Sequence, residues 1–399
     1  MPHRRSRHVT PLLIKLMGMS PIVGILGHRQ VGKTTLLELL AKHYYTMDES
    51  SELLEAEKDP KEYIQQRSGL KVAVDECQLA PSLFPALKEW VRTHPRPGQF
   101  LLSGSVRFTS RKAIQESLTG RIVNLELLPM LLSELLSTDL PNFWRRTIST
   151  EEFSASPTSD RNDKKKREAI LRYFEQGGLP GICFIREEKF RERKLDTQIE
   201  TILDRDLRKV VPTNIVYPQL RRLLQGLADR QGEPFSWSEL KKETEISIPT
   251  LKKLFYGLES VFLIRTILVE GDVGGPVNYF EDLAELKFVR NKPQAVSDQI
   301  IHFLMIHMRG EMSYGSSAPF RIFQFRTRAG VCIPLALQVK QDFVGVIALE
   351  GESPTRSEMA AADSFLKRYY RSKVVMVHWG SHAERVSSRK AIIPLFETV

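Results

Sequence analysis

The residues that follow the first apolar stretch of the chain have the types and spacing of a phosphate-binding loop. In order they are Gly27, His28, Arg29, Gln30, Val31, Gly32, Lys33 and Thr34, followed by Thr35. They match the pattern GxxxxGK[ST], in which glycines let backbone N–H groups close around phosphate oxygens. In such loops the lysine neutralises the β- and γ-phosphates, and the hydroxyl residue binds Mg²⁺. The run predicts that residues 27–35 bind ATP, with Lys33 as a catalytic cation and Thr34 as a metal ligand.

A pair of acidic residues supplies the second half of such a site. The apolar stretch 72–74 ends in Asp75 and Glu76. In P-loop ATPases one carboxylate at this place holds the Mg²⁺ shell, usually through water, and a second can orient and deprotonate the attacking water. We therefore predict Asp75 as a metal ligand and Glu76 as the catalytic base. Alone, the pair would fit a solvated strand end and the loop a chance match, but together they favour hydrolysis of Mg-ATP.

Small polar residues end a third apolar stretch, 100–102. Ser103 and Ser105 follow it, and both are candidates for the polar sensor that touches the γ-phosphate or its water in ATPases of the AAA type. We count Ser105 among the catalytic candidates. Either serine would equally well cap the next turn.

An arginine precedes the next apolar stretch, 122–127. Arg121 stands where many AAA-type rings carry an arginine into the site of the neighbouring subunit. There it would stabilise transition-state charge in trans. Arg107 and Arg111 are rival candidates, and a surface salt bridge is the structural alternative for Arg121.

The elements that must position these residues alternate between strands and helices. Apolar runs predict strands at 21–26, 71–75, 99–103 and 122–127, and helical spacing predicts helices at 33–43 and 84–93. This alternation is typical of a parallel α/β sheet. After Pro129 the pattern becomes helical, at 130–136, 168–174 and 189–210, and predicts a helical lid.

Several motifs together resemble one family of prokaryotic AAA-type ATPases. They are the loop 27–35, Val74 to Gln78 with the following 80–87, the stretch 100–105, Ser117 to Arg121, and Gly177-Gly-Leu-Pro180. The resemblance covers about residues 20–270. It implies an ATPase core, a winged-helix segment and a C-terminal domain of unknown function that resembles restriction-endonuclease folds. We therefore expect an ATPase core at 1–128, a lid at 129–212, a winged helix-turn-helix at 213–272 and a nuclease-like mixed α/β domain at 273–399.

The middle unit independently shows the pattern of a winged helix-turn-helix. A short helix with a possible capping box from Ser236 to Glu239 precedes a second helix that begins near Pro249. Its core face would be Leu251, Leu254, Phe255 and Leu258, at helical spacing. Its other side, which would enter a DNA major groove, carries Thr250, Lys252, Lys253 and Tyr256. A packing or oligomerisation module is the alternative.

The C-terminal domain departs from the family pattern at its expected metal site. The family has Glu-x-Lys on one strand and an acidic residue on the strand before it, whereas this chain has Gln338-Val-Lys340 and neither Asp nor Glu on the upstream strand. A neutral glutamine cannot supply the charge that holds a catalytic Mg²⁺. We expect this domain to be inactive as a nuclease and to act in binding or scaffolding.

Composition sets the broad class of the protein. The chain has 399 residues, a formal charge of +10 and a pI near 9.4, which favours a polyanionic partner or simply reflects a solvated basic surface. Its three cysteines are far apart, so a reducing cytoplasm fits better than a disulfide framework. The apolar stretch 11–26 superficially resembles a signal peptide, but Lys15 and Pro21 interrupt it and no small-residue cleavage site follows. We expect no membrane span.

Two functional hypotheses follow. The first is a cytoplasmic ATPase, using ATP and Mg²⁺, whose nucleotide state controls how the winged helix and C-terminal module engage double-stranded DNA or a partner protein. The second is a signalling or assembly ATPase that forms homo-oligomers without binding DNA.

Overall fold

The structure is a computed structural model, which describes residues 5–69, 71–107, 120–150, 153, 163–271 and 274–399. Arg111 and residues 117–119 of the family motif lie outside the described residues. Within the described part of the chain, no helix has both the length and the apolar character needed to cross a membrane.

The first unit is a parallel sheet of five described strands with helices packed around it. The strands are β1 (Ile22–Leu26), β2 (His43–Thr46), β3 (Val72–Asp75), β4 (Phe100–Gly104) and β5 (Ile122–Glu126), in the order β2-β3-β4-β1-β5. The helices are α1 (Thr10–Met17), α2 (Lys33–Leu40), α3 (Ser50–Lys58), α4 (Pro60–Arg67) and α5 (Leu83–Thr93). This parallel α/β sheet agrees with the predicted P-loop fold.

Sequence reasoning missed β2 and therefore made α2 too long. The helix expected to reach His43 ends at Leu40, and His43 already begins the strand. The four residues His43, Tyr44, Tyr45 and Thr46 are exposed or half-buried on the edge of the sheet. An edge strand of this kind has no apolar run for a sequence pattern to detect.

All strand pairs in this sheet are parallel, so their carboxyl ends lie along one edge. The loop after β1, the acidic pair at the end of β3 and the serines at the end of β4 therefore converge there. Arg121 directly precedes β5 and therefore lies at the amino ends of the strands, on the side of the sheet opposite to these residues.

A helical segment follows the sheet. It contains α6 (Leu132–Leu136), α7 (Phe143–Ser149), α8 (Asp163–Gln176), α9 (Pro180–Cys183), α10 (Glu188–Thr201) and α11 (Leu207–Val210). The single helix expected at 189–210 is interrupted by a π-helical turn, Ile202–Asp206. Such turns widen the helix by one residue and often occur at functional sites.

Three helices and an antiparallel strand pair form the next unit. They are α12 (Tyr217–Ala228), α13 (Trp237–Thr244), α14 (Ile248–Ser260), β6 (Ile264–Gly271) and β7 (Val277–Phe280). The predicted core face of α14 is buried. Ser236 does cap α13, but its hydroxyl accepts from the N–H of Ser238 (3.3 Å) and not from Glu239, so the expected capping box does not form. The order of elements is that of a winged helix, which remains our prediction.

The C-terminal part adds a mixed sheet. It contains α15 (Leu283–Val289), α16 (Val296–Gly315), β8 (Phe320–Arg326), β9 (Cys332–Val339), β10 (Asp342–Ala348), α17 (Arg356–Arg368), β11 (Ser372–His378), β12 (Glu384–Ser387), β13 (Lys390–Pro394) and a 3₁₀ turn, Leu395–Thr398. The order is β12-β13-β11-β10-β9-β8-β6-β7. Strand β6 pairs with both β7 and β8. The expected domain boundary at 272 therefore falls between two strands that pair with each other.

One apolar core joins the two ends of the chain. The same buried cluster includes Val23 and Ile25 of β1, Phe303 and Ile306 of α16, and Val375 of β11. Helix α16 is buried along most of its length. The parallel sheet and the C-terminal sheet therefore share α16 as a packing partner.

Candidate nucleotide-binding site

The loop between β1 and α2 contains a left-handed turn and a close backbone contact, each at or next to a glycine. Gln30 and Gly32 have positive φ angles of 60° and 99°, a region that glycine enters without steric cost. A Cβ atom on Gly27 would lie 2.3 Å from the carbonyl oxygen of Leu127. The first glycine is therefore required by close packing against the chain after β5, and the second by the turn itself.

Lys33 lies at the first position of α2 and is buried. Its Nζ donates hydrogen bonds to the carbonyl oxygens of Gly27 (3.0 Å) and His28 (2.9 Å). Burial lowers the pKa of Lys33, although the carboxylates of Glu76 and Asp75 oppose that shift. The ammonium group is thus held over its own loop, where it can exchange these carbonyls for phosphate oxygens.

The expected metal ligands are in direct contact. The Thr34 hydroxyl donates to Oδ2 of Asp75 at 2.6 Å. Tyr44 of β2 donates to the same oxygen at 2.7 Å, and Ser103 donates to Oδ1. A hydroxyl and a carboxylate side by side form the oxygen-rich donor set that suits Mg²⁺, which usually takes one or two carboxylates plus phosphate oxygens. Sequence reasoning missed Tyr44 because it missed β2.

Glu76 has an unusual backbone that separates it from Asp75. Its φ of 50° is in the left-handed region, which costs a residue other than glycine on the order of 1 kcal/mol. Its Oε2 accepts hydrogen bonds from Ser105 (3.1 Å) and from the Gln78 amide. The two predicted serines therefore donate to different carboxylates, Ser103 to that of Asp75 and Ser105 to that of Glu76.

A charged cluster that sequence reasoning missed lies beside the loop. Asp206 in the π-helical turn accepts from Arg29 (3.1 Å) and from Arg205 (3.0 Å). Burial lowers the pKa of Arg205, but Asp206, together with the charges of Asp48 and Glu76, outweighs burial and raises it. The guanidinium of Arg205 therefore interacts electrostatically with the carboxylate of Glu76, the predicted base. No sequence pattern marked it, because a continuous helix was expected there.

Two other segments support the loop from outside the sheet. Arg7 donates to the carbonyl oxygens of Val31 (2.8 Å) and Leu128 (2.6 Å). A Cβ atom on Gly181 would lie 2.4 Å from Oε1 of Gln30. Gly181, directly after the motif Gly177 to Pro180, thus packs against the nucleotide loop.

A buried polar link connects the loop to α15. Nε2 of His28 lies 3.1 Å from Oε2 of Glu285, and Gln198 of α10 donates to Oε1 of Glu285 at 2.6 Å. Burial disfavours the charged imidazole, but Glu285 outweighs burial and raises the pKa of His28. Burial and Glu285 likewise raise the pKa of Asp282 to about 6, and Asp282 accepts from the N–H of Gly178 (2.6 Å).

The arginine candidates have different surroundings. The Arg107 side chain is engaged within its own chain, because its Nε donates to the carbonyl oxygen of Glu259 (3.3 Å) and its guanidinium lies 4.4 Å from the ring centre of Phe262. This disfavours Arg107 as a finger. Arg121 is half-buried at the far edge of the sheet, and five residues of β5 at ~3.3 Å each separate it from the site of its own chain.

The expected DNA-binding residues lie on α14. Lys252, Lys253 and Tyr256 are exposed on one side of the helix. Thr250 differs, because it is half-buried and its hydroxyl lies 2.9 Å from that of Ser247, the cap residue. The structure therefore brings three of the four predicted residues to one exposed face.

The expected remnant of a nuclease site lies at a hairpin turn. Gln338 is near the end of β9, where its amide oxygen accepts from Arg321 (3.0 Å), and Lys340 adopts a φ of 54° in the turn to β10. This arrangement uses Gln338 as a structural partner of Arg321.

Comparisons with known proteins agree with the geometry of the first unit. Residues 19–136 match the family described as "AAA domain", and residues 167–268 match a domain of unknown function, DUF8612. The AAA match covers the loop, the acidic pair, the serines and β5. This part of the chain is a P-loop ATPase domain of the AAA type.

Two curated relatives are similar over 265 residues at 27% identity. They are uncharacterized proteins of Mycobacterium bovis and Mycobacterium tuberculosis, and each match covers 65% of this chain and 53% of the relative. The chain thus matches only about half the length of these relatives.

Two solved structures show weaker likeness. A Walker-type ATPase of Pyrococcus abyssi has a TM-score of 0.41 at 14% identity, with 72% of this chain and 98% of that chain covered. A signal transduction ATPase with numerous domains and a tetratricopeptide repeat sensor, from Pyrococcus horikoshii, has a TM-score of 0.28 at 14% identity, with 79% and 48% covered. Neither likeness supports a statement about the activity of this chain.

Proposed function

Starting from an AAA-type P-loop ATPase domain at residues 19–136, we propose that this chain binds and hydrolyses Mg-ATP at residues 27–35. The observation that carries the proposal is the 2.6 Å contact between the Thr34 hydroxyl and the Asp75 carboxylate, next to the buried Lys33. A free strand end and a chance loop would have no reason to meet in this way.

Each residue has a distinct role in the proposed reaction. Lys33 leaves the carbonyls of its loop and binds the β- and γ-phosphate oxygens of ATP. Thr34 and Asp75 hold Mg²⁺, which neutralises phosphate charge when bound. Glu76, oriented by Ser105, accepts a proton from the attacking water. The freed proton resides on the Glu76 carboxylate until phosphate leaves.

The proposed output is engagement of double-stranded DNA or a partner protein by the winged-helix unit. Ser105 orients Glu76, and two residues later Arg107 is hydrogen-bonded to Ser260 at the end of α14. A shift of the serine loop on nucleotide binding would therefore reach the helix that carries Lys252 and Lys253. We place this activity in the cytoplasm, in keeping with the widely spaced cysteines.

A specific contact supports the second candidate, an assembly ATPase that does not bind DNA. A Cβ atom on Gly257 would lie 2.5 Å from Leu207 and 2.7 Å from Val211. One side of α14 thus packs tightly against α11, at the end of the predicted lid. Such packing is what a module that joins the parts of an ATPase would need. The position of Arg121 at an outer edge of the sheet fits a homo-oligomer in which it reaches a neighbour.

The nucleotide site is tested by Lys33→Ala. The variant should lose ATP binding, because the buried ammonium group beside the loop disappears, and titration with a fluorescent ATP analogue measures this directly. Lys42→Ala is the matched control, since Lys42 is exposed just after α2. Wild-type affinity in Lys33→Ala would contradict the site.

A further inference from the structure

Tyr44 of the edge strand β2 donates a hydrogen bond to the carboxylate that we expect to hold Mg²⁺. Its hydroxyl lies 2.7 Å from Oδ2 of Asp75. In the parallel pair of β2 and β3, Thr46 lies opposite Asp75. Tyr44 is two residues before Thr46 and therefore projects from the same face of the sheet as Asp75. The tyrosine thus reaches the carboxylate diagonally across the strand pair.

The carboxylate of Asp75 accepts hydrogen bonds from four donors among the described residues. The hydroxyls of Thr34 and Tyr44 donate to Oδ2, at 2.6 and 2.7 Å. The hydroxyl of Ser103 and the backbone N–H of Glu76 donate to Oδ1. Asp75 is 2% exposed, and an ionised carboxylate has about four lone-pair sites. These donors therefore fix the orientation of both carboxylate oxygens.

The two donors on Oδ2 differ in what the proposed reaction asks of them. Thr34 would turn its hydroxyl oxygen to the metal, whereas Tyr44 lies on β2, outside the phosphate loop, and has no ligand role in the proposal. Its hydroxyl therefore stays available to hold Oδ2. Carboxylates that bind metals are commonly held by such outer partners, and loss of one partner typically lowers metal affinity by about 10–100-fold.

We propose that Tyr44 is a positioning residue of the Mg²⁺ site, which holds Asp75 in the orientation that receives the metal. This inference rests on the proposed function, because it assumes that Mg-ATP binds at residues 27–35. Metal-free ATP would be held by the loop backbone and Lys33, so its affinity should not depend on Tyr44. The role of Tyr44 is thus visible as a loss of the affinity that the metal adds.

Nucleotide binding with and without the metal tests this role. Tyr44→Phe removes only the hydroxyl. It should weaken binding of a fluorescent, non-hydrolysable ATP analogue about tenfold or more in excess Mg²⁺, and leave the affinity in EDTA near wild type. Tyr45→Phe is the matched control, because Tyr45 is the next residue of β2 and packs on the other face, beside Tyr63. It should bind as wild type under both conditions.

A second background shows whether Tyr44 acts through Asp75. In Asp75→Ala, which lacks the carboxylate, the added change Tyr44→Phe should cause no further loss of affinity, since residues that act through one contact are not additive. A further loss in that background would overturn the inference. So would an equal loss with and without Mg²⁺ in Tyr44→Phe alone, which indicates a general structural role.

The wild-type chain separates this inference from the proposed function. If the wild type does not bind the analogue, or binds it equally well in Mg²⁺ and in EDTA, the proposed metal site is wrong and the inference falls with it. If the wild type gains affinity from Mg²⁺ and Tyr44→Phe gains as much, only the role of Tyr44 is wrong.

Discussion

At the residue scale, Asp75 and Glu76 are neighbours in sequence that face different partners. The left-handed backbone of Glu76 turns its carboxylate towards Ser105, while Asp75 stays with Thr34 and Ser103. Strain of this kind persists only where surrounding contacts hold it, and it concentrates at functional sites. This separation fits the proposal that Asp75 binds Mg²⁺ and Glu76 activates the attacking water.

This division of labour predicts the behaviour of Glu76→Gln. Glutamine preserves the shape but cannot accept the proton, so turnover should fall by about 10²–10⁴-fold while Mg-ATP affinity stays near wild type. Steady-state phosphate release and nucleotide titration measure the two quantities separately. Glu38→Gln, exposed on α2, should keep full turnover. If Glu76→Gln turns over at the wild-type rate, the base is another residue.

At the element scale, α14 has two faces with different uses. Leu251, Leu254 and Phe255 are buried in the core of their unit, whereas Lys252 and Lys253 are exposed. In a helix-turn-helix the exposed side of the second helix enters the DNA major groove, and lysines on it can contact the phosphates that border the groove. Part of the excess positive charge of the chain therefore lies on this exposed side of α14.

We predict that Lys252→Glu combined with Lys253→Glu weakens binding to duplex DNA at least tenfold. The slope of log affinity against log salt should also become shallower by about 2, since each lost phosphate contact removes ~0.9. Fluorescence anisotropy over a salt series measures both. Lys58→Glu with Lys61→Glu makes the same charge change on exposed positions of the ATPase helices and should leave DNA affinity nearly unaltered. Equal loss in both double variants would indicate a non-specific charge effect.

Helix α16 contains a carboxyl group that makes stability depend on pH. Glu311 is buried, its Oε1 accepts from the N–H of Arg145 (2.7 Å), and burial raises its pKa to about 7. The folded chain then holds this proton more tightly than the unfolded chain, whose glutamate titrates near 4.3. Stability should therefore fall as pH rises from about 4.5 to about 7, and the loss should be complete above that range.

Replacement of this group with a neutral isostere should remove that dependence. At ~1.4 kcal/mol per pH unit over about 2.5 units, the effect amounts to about 3.5 kcal/mol. Glu311→Gln should therefore be more stable than wild type near pH 8 and similar near pH 4.5. Urea unfolding at the two pH values measures the difference. Glu192→Gln, on an exposed position of α10, should follow the wild-type curve. A parallel curve for Glu311→Gln would mean that Glu311 is ionised in the folded chain at low pH.

At the scale of the whole molecule, the two ends of the parallel strands carry different groups of candidate residues. The carboxyl edge holds the predicted nucleotide residues, and Arg121 lies on the amino edge, too far to serve its own site. If it acts at all, it acts on another copy of the chain. Hydrolysis would then depend on assembly.

Mixing two nearly inactive variants decides this point. Arg121→Ala and Glu76→Gln should each bind ATP with little turnover, and combined they should regain turnover, because some mixed sites pair an intact arginine with an intact base. Specific activity of wild type should likewise rise with protein concentration. Absence of recovery in proven mixed oligomers would assign the role to an arginine of the same chain. Arg205, whose pKa already responds to Glu76, would then be the first to replace.

The sequence by itself determined the parts of this protein that depend on neighbouring residues in the chain. The phosphate loop, the acidic pair and the strands at 22–26, 72–75 and 100–104 were predictable because contiguous motifs and apolar runs report local structure. The buried face of α14 was predictable for the same reason, since Leu251 and Leu254 recur at helical spacing.

Only the tertiary structure decided which distant residues complete the site. Asp206 meets Arg29 across 177 positions, and Arg7 meets Leu128 across 121. Tyr44 reaches Asp75 only because an edge strand with no apolar signature pairs with β3. The hairpin of β6 and β7 joins the C-terminal sheet by backbone hydrogen bonds, which leave no trace in side-chain pattern. Local periodicity predicts elements, but burial and charge pairing between elements arise only when the chain is folded.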